Sequence, residues 1–191
     1  MSYVLGLDFG TSFTAAAAAD PDGRSARVVT LGNRAAAVPS VVLVRPDGSL
    51  LAGEDAYLRG ASEPARLVRN LKRRLGDRAP IVLGAGAARA GTAAGTAAGT
   101  PAGPGGPGGE GTSFRPEDLV AGYLRWVVGR VAEREGGSPQ RLVLTHPANW
   151  RSLRLDAYRR AAVAAGLEDA VFVTEPYAAA VKEVPKSRPR T

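Results

Sequence analysis

Near its start the chain reads G-L-D-F-G-T-S-F-T over residues 6–14. An apolar, β-like run arrives at Asp8, turns on Gly10 and passes at once into Thr11, Ser12 and Thr14. Two chemistries fit. One is a plain hairpin, because glycine beside small hydroxyl residues is ordinary turn material. The other is a phosphate cradle, in which successive N–H groups and hydroxyls close on an anion while an acid handles its metal through oxygen. Further candidates are few. Lys72 stands in a K-R-R run, where a solvated helix face explains it as well as an anion contact does. Glu175, in T-E-P, is either a site carboxylate or a first-turn acid favoured by the helix dipole. His146 is the only histidine, and no second His, Cys or acid stands at ligand spacing from it, so a structural role is expected. Trp126 and Trp150 read as packing residues.

The elements that must position these residues fall into two flanks. In the first, Tyr3–Phe9 reads as a buried strand, Thr14–Ala19 as its hairpin partner, and Ala26–Leu31 as a third strand after the turn at Asp20–Gly23. Val41–Val44 and Ser49–Ala52 flank a further turn, P-D-G. From Glu63 the spacing of Leu67, Leu71 and Leu75 predicts one helix closed by Gly76. In the second flank, Pro116 opens a helix with acids in its first turn, and Leu119, Tyr123, Val127 and Val131 recur at i+4 until Gly136-Gly137. A strand over Arg141–Thr145 follows, then a helix with Ser152 as N-cap and Gly166 just past its end. Ala170–Thr174 is the next strand, and Glu175-Pro176 opens an Ala-rich helix. Strands first, then alternating helix and strand, predict an α/β domain with a mixed sheet.

Between the flanks, residues 84–113 hold 11 of the 24 glycines and no Val, Ile, Leu, Met or aromatic residue. With nothing to bury, this Gly/Ala/Thr/Pro-rich stretch is expected to be a disordered loop. Flanks of 83 and 78 residues are each marginal as a core. The organisation predicted is therefore one lobe in two halves, 1–83 and 114–182, interrupted by the 84–113 loop and followed by a basic tail over 183–191.

Composition narrows the class. A hydrophobic fraction of 45% supplies a core, and 23% charged residues suit a soluble domain. The net charge of +7 is spread along the helices, so specific nucleic-acid recognition is not expected. No cysteine, no apolar run of transmembrane length and no basic n-region before Asp8 together predict a cytoplasmic protein without a membrane partner.

Several separate stretches agree in order with one family. They are G-L-D-F-G-T-S-F-T, V-P-S-V-V at 38–42, A-G-E-D-A at 52–56, L-K-R-R-L-G at 71–76, T-H-P-A-N-W at 145–150, and A-G-L followed by T-E-P-Y-A-A-A. Together they resemble the first half of the ATPase domain of the DnaK-type heat-shock protein 70 chaperones, over residues 3–181 outside the loop. The resemblance implies a ribonuclease H-like (actin-like ATPase) lobe with a mixed sheet flanked by helices. It implies ATP or ADP with Mg²⁺ as cofactors, and ATP hydrolysis by Mg²⁺-assisted in-line attack of water. Gly10, Thr11, Ser12 and Phe13 match the first phosphate loop, and Asp8 the acid that holds Mg²⁺ largely through water. Lys72 matches the lysine that orients the attacking water and steadies the γ-phosphate. Glu175 matches the carboxylate on the water and metal side.

The sequence departs from the family at Leu155, where the chaperones place an arginine; an apolar side chain cannot make that charge-assisted contact. The chain also reaches Thr191 before the family's second phosphate loop and adenosine site. The lobe alone is therefore expected to bind nucleotide weakly or not at all and to be catalytically incomplete. Its expected partners are nucleotide and a second lobe or protein covering the open cleft. The alternative reading is a non-enzymatic truncated remnant or protein-interaction module.

Overall fold

A computed structural model describes residues 2–84 and 112–183. The expected loop over 84–113 falls mostly outside the described residues, as does the expected tail from residue 184 onward.

The main sheet starts where the apolar alternation begins. β1 (Val4–Phe9) buries Leu5, Leu7 and Phe9 on one face and turns Asp8 to the other, the period-2 consequence of the pleat. β2 (Phe13–Ala19) pairs antiparallel with β1, and β3 (Ala26–Val29) with β2. A two-residue β4 (Val38–Pro39) also pairs with β2. A small second sheet is formed by β5 (Val42–Val44), β6 (Leu50–Ala52) and β7 (Leu67–Val68), and α1 (Gly53–Arg59) packs on it. α2 (Leu71–Arg74) is a single turn.

β8 (Ile81–Leu83) pairs antiparallel with β9 (Thr112–Phe114). Thr112 and Ser113, expected in the loop, are thus held in a strand by a partner that precedes the Gly-rich stretch. The second flank runs α3 (Pro116–Glu135), β10 (Arg141–His146), α4 (Ser152–Ala164), β11 (Val171–Thr174) and α5 (Glu175–Glu183).

The main sheet has the order β11-β10-β1-β2-β3, with β10 parallel to both β1 and β11. Its centre therefore joins the two flanks: Val4 to Leu7 of β1 register with Arg141 to Leu144 of β10. The expected shared, mixed sheet is what forms. α3 and α4 pack against each other and cover the face carrying Leu5, Leu7 and Phe9, where Leu119, Tyr123, Val127 and Val131 are all buried. Each fully buried Leu or Phe here is worth roughly 1.5–3 kcal/mol relative to leaving it in water.

Two local expectations are corrected. The helix read from Glu63 to Gly76 is instead a 3₁₀ turn at Pro64–Arg66, then β7, then α2. Leu67 and Val68 pair with Leu43 and Val42 of β5, so tertiary strand pairing overrides the leucine spacing. Asn70 then takes the left-handed conformation (φ 56°), which separates strand from helix and which Asn tolerates better than most residues. Ser152 is the first helical residue of α4 and not its cap. The Arg151 carbonyl already accepts from the amides of Arg154 and Leu155, closing the first turn one residue earlier. The far end of α4 is as expected: Gly166 has φ 78°, its amide bonds the Val163 carbonyl, and the Leu167 amide bonds that of Ala162.

Candidate functional site

In a sheet with parallel strands, the carboxyl ends of those strands form a crevice open to ligands. β1, β10 and β11 bring three polar residues to that end. Asp8 stands next to last in β1 and exposed, Thr145 next to last in β10, and Glu175 immediately after β11 as the first residue of α5. The Thr145 hydroxyl donates to Oδ1 of Asp8 at 2.8 Å. This bond orients the carboxylate and leaves its other oxygen for a further partner.

The turn that follows Asp8 is tight. The Gly10 amide donates to the Phe13 carbonyl at 3.0 Å, and a Cβ on Gly10 would stand 2.3 Å from that oxygen. Only glycine closes this turn without moving backbone. The Gly10 amide is therefore engaged inside the loop, whereas no such bond occupies the amides of Thr11 and Ser12 among the described residues. The Ser12 carbonyl accepts from the Ser40 amide at 2.8 Å, and the Ser40 hydroxyl meets that of Thr14 at 2.8 Å in the buried interior. V-P-S-V-V thus braces the hairpin from behind. Phe13 begins β2 on the face of the sheet that carries Ala15, the cross-strand partner of Asp8. It is exposed and lines, with Thr11, Ser12, Tyr57, Arg69 and Asn70, a neighbouring cleft of about 380 Å³.

Lys72 is not on a solvated face. It is buried, and its ammonium donates to Oε1 of Glu175 at 2.7 Å and lies 5.7 Å from the ring centre of Trp150. Asn70 starts the short helix that delivers it. Glu175 keeps 41% of its side chain exposed, so this ion pair opens toward solvent at one end. Trp150, expected as packing, is half-buried and forms the platform under Lys72; it stacks on His146 and meets Tyr158 edge-on at 5.7 Å. His146 is buried with Nδ1 3.0 Å from the Pro147 carbonyl. Trp126 packs on Tyr123.

Two residues of this region were not anticipated. Thr145 lay inside a quoted motif, and its hydroxyl on the same face of the sheet as Asp8 was the available signal. Tyr158 carried none, because on α4 it shares the buried stripe with Ala157, Ala161 and Ala162. Its ring is fully buried against Phe9, Trp150 and Phe172, yet its hydroxyl has no hydrogen-bond partner among the described residues. Burial first, then the Asp8 and Glu175 carboxylates, push its phenol far above the usual range. An unpartnered buried hydroxyl costs about 1–3 kcal/mol.

A mixed sheet of this order flanked by helices is consistent with a lobe of the actin-like ATPase fold. The Hsp70 protein family model matches residues 4–182. The chain is 32% identical over 187 residues to the chaperone protein DnaK of Elusimicrobium minutum, covering 95% of this chain and 25% of that protein. It is 25% identical over 179 residues to chaperone protein DnaK of Thermotoga petrophila, covering 94% of this chain and 26% of that one. DnaK of Thermosipho africanus gives 25% identity over the same length, with 94% and 25% covered. The chain belongs to the Hsp70 family, and it spans about a quarter of the length of the curated relatives it matches. Among the described residues no helix is long and apolar enough to cross a membrane.

Proposed function

We propose that this lobe binds the phosphate end of a Mg²⁺–nucleotide, ATP or ADP, and contributes one wall of an ATP-hydrolysing cleft. The observation that carries the reading is the burial of Lys72 at the crevice, held by Glu175 over Trp150. A lysine kept out of water by one carboxylate is poised to exchange that partner for an anion. In this reading the Thr11 and Ser12 amides and hydroxyls take β- and γ-phosphate oxygens, and Gly10 shapes the turn that presents them. Asp8, oriented by Thr145, and Glu175 offer oxygen to the metal and its water. This all-oxygen set fits a hard cation that keeps most of its hydration shell. Bound Mg²⁺ supplies neutralisation of the phosphate oxygens. Lys72 steadies charge on the γ-phosphate, and Glu175 accepts a hydrogen bond from the water to be aligned. Phe13 completes the phosphate loop, its carbonyl tied to the Gly10 amide.

The residues placed here reach the phosphates and not the nucleoside, so weak binding is expected. An NMR titration of the 191-residue chain with Mg²⁺–ATP tests it. The Thr11 and Ser12 amides should shift, and Asp8→Ala or Lys72→Ala should weaken binding about tenfold, ~1.4 kcal/mol. Saturation unaffected by either substitution, or no shift at all, would remove the reading.

A further inference from the structure

The cleft of about 380 Å³ beside the hydroxyl loop is lined by two kinds of residue. Thr11 and Ser12 bring to it the phosphate loop itself. Phe13 of β2 and Tyr57 of α1 bring two aromatic rings, 61% and 49% exposed. Exposed apolar side chains scattered singly are ordinary, but these two come from separate elements and border one recess. Its volume lies within the roughly 300–1,000 Å³ of small-molecule sites. The Arg69 guanidinium lies 5.1 Å from the centre of the Tyr57 ring and has no carboxylate partner among the described residues. Asn70, with its positive φ of 56°, turns the chain immediately afterwards and lines the same cleft.

We propose that this cleft is a ring-binding subsite, taking the planar base of the nucleotide whose phosphates the loop holds. The inference rests on the nucleotide reading above and deepens it, because it gives the base a place on this lobe. A phosphate chain alone would leave the faces of Phe13 and Tyr57 in water. An apolar ligand alone would leave the Thr11 and Ser12 hydroxyls and the Arg69 charge unused. A planar base carried on a phosphate chain uses both kinds of wall. Its π-face stacks on an aromatic ring, an attraction every base can make. A guanidinium held against a ring adds a second planar, cationic surface, and its N–H groups remain in their own plane to donate to ring nitrogens or carbonyls. Arg69 also draws the negative charge of the phosphate chain toward the cleft.

The test uses the 191-residue chain, titrated by NMR with Mg²⁺–ATP and with Mg²⁺–tripolyphosphate, the phosphate chain without a base. ATP should shift the ring protons of Phe13 and Tyr57 together with the Thr11 and Ser12 amides, whereas tripolyphosphate should shift the amides alone. Tyr57→Leu, at an exposed helical position, should weaken Mg²⁺–ATP about tenfold, as loss of a stacking face does, and leave tripolyphosphate affinity unchanged. Tyr57→Phe, which keeps the ring, should bind ATP as the wild type does. Equal affinities for ATP and tripolyphosphate, with neither ring shifted, overturn the subsite and leave the phosphate reading intact. Weakening of both ligands alike in Tyr57→Leu overturns it too, since Tyr57 would then support the loop and not a base. A wild-type chain that binds neither ligand refutes the nucleotide reading, and the subsite falls with it.

Discussion

On one side of Phe9 stands Tyr123 of α3, its ring centre 5.4 Å away; on the other stands Tyr158 of α4, at 6.0 Å. Both are fully buried. Tyr123 donates to the Pro39 carbonyl at 3.1 Å, beside the paired hydroxyls of Thr14 and Ser40, so the region behind the hairpin is a closed polar network. Tyr158, packed among Phe9, Trp150 and Phe172, has no such closure among the described residues. The contrast separates two uses of buried polarity. Where the task is to fix the register of β2 against β4, each hydroxyl has a hydrogen-bond partner within the fold. Under α4, among Phe9, Trp150 and Phe172, one donor is left without an acceptor among the described residues.

The largest expected effect lies at alkaline pH. Burial pushes the Tyr123 phenol up to about 12, against about 10 in an unfolded chain. Between these values the unfolded chain has already released the proton and the folded chain has not, so stability falls as pH rises from 10 toward 12. At about 1.4 kcal/mol per unit, the share of Tyr123 is on the order of 2–3 kcal/mol, and it is fully present below pH 10. Urea unfolding at neutral pH and at increasing pH should show this loss, and Tyr123→Phe should make the curve shallower, leaving the share of Tyr158, whose buried phenol is also raised. At neutral pH the same substitution costs about 1 kcal/mol through its lost hydrogen bond, while Tyr158→Phe costs nothing. Equal costs at the two tyrosines would erase the distinction between the regions.

A smaller effect sharpens it. Thr14→Val leaves the Ser40 hydroxyl buried and orphaned, for an expected loss of about 1–2 kcal/mol in denaturant unfolding. Adding Ser40→Ala should recover part of that loss, because removing both partners removes the unsatisfied group. A double variant no better than the single one would show that the pair is not a closed unit.

The two regions also differ in how far the sequence disclosed them. The hairpin was legible because its signals are local: alternation gives β1 and β2, and a crowded turn demands Gly10. The i+4 stripe of α3 was legible for the same reason. The stretch from Glu63 to Gly76 was not, because Leu67 and Val68 answer to β5, more than twenty residues away, and Asn70 breaks the helical path. The lysine–glutamate pair joins positions 103 apart in the chain, and no local pattern reports it. Its members came forward through family resemblance, and the buried state of Lys72 came only from the fold. Tyr158 was hidden most completely. Its neighbours on the helix are alanines, and on sequence a tyrosine among them is indistinguishable from core.

The smallest expected effect concerns that pair. A double-mutant cycle on Lys72→Met and Glu175→Gln, read by thermal or urea unfolding, should give a coupling of about 1 kcal/mol or less. Glu175 is 41% exposed, so solvent screens much of the attraction even though Lys72 is buried. Methionine keeps the packing on Trp150 while removing the charge. A weak coupling is what the proposed exchange requires, since a lysine bound tightly to Glu175 could not be drawn to a phosphate. A coupling of several kcal/mol would instead make the pair a strut of the fold, and the crevice would then resemble the closed network around Tyr123.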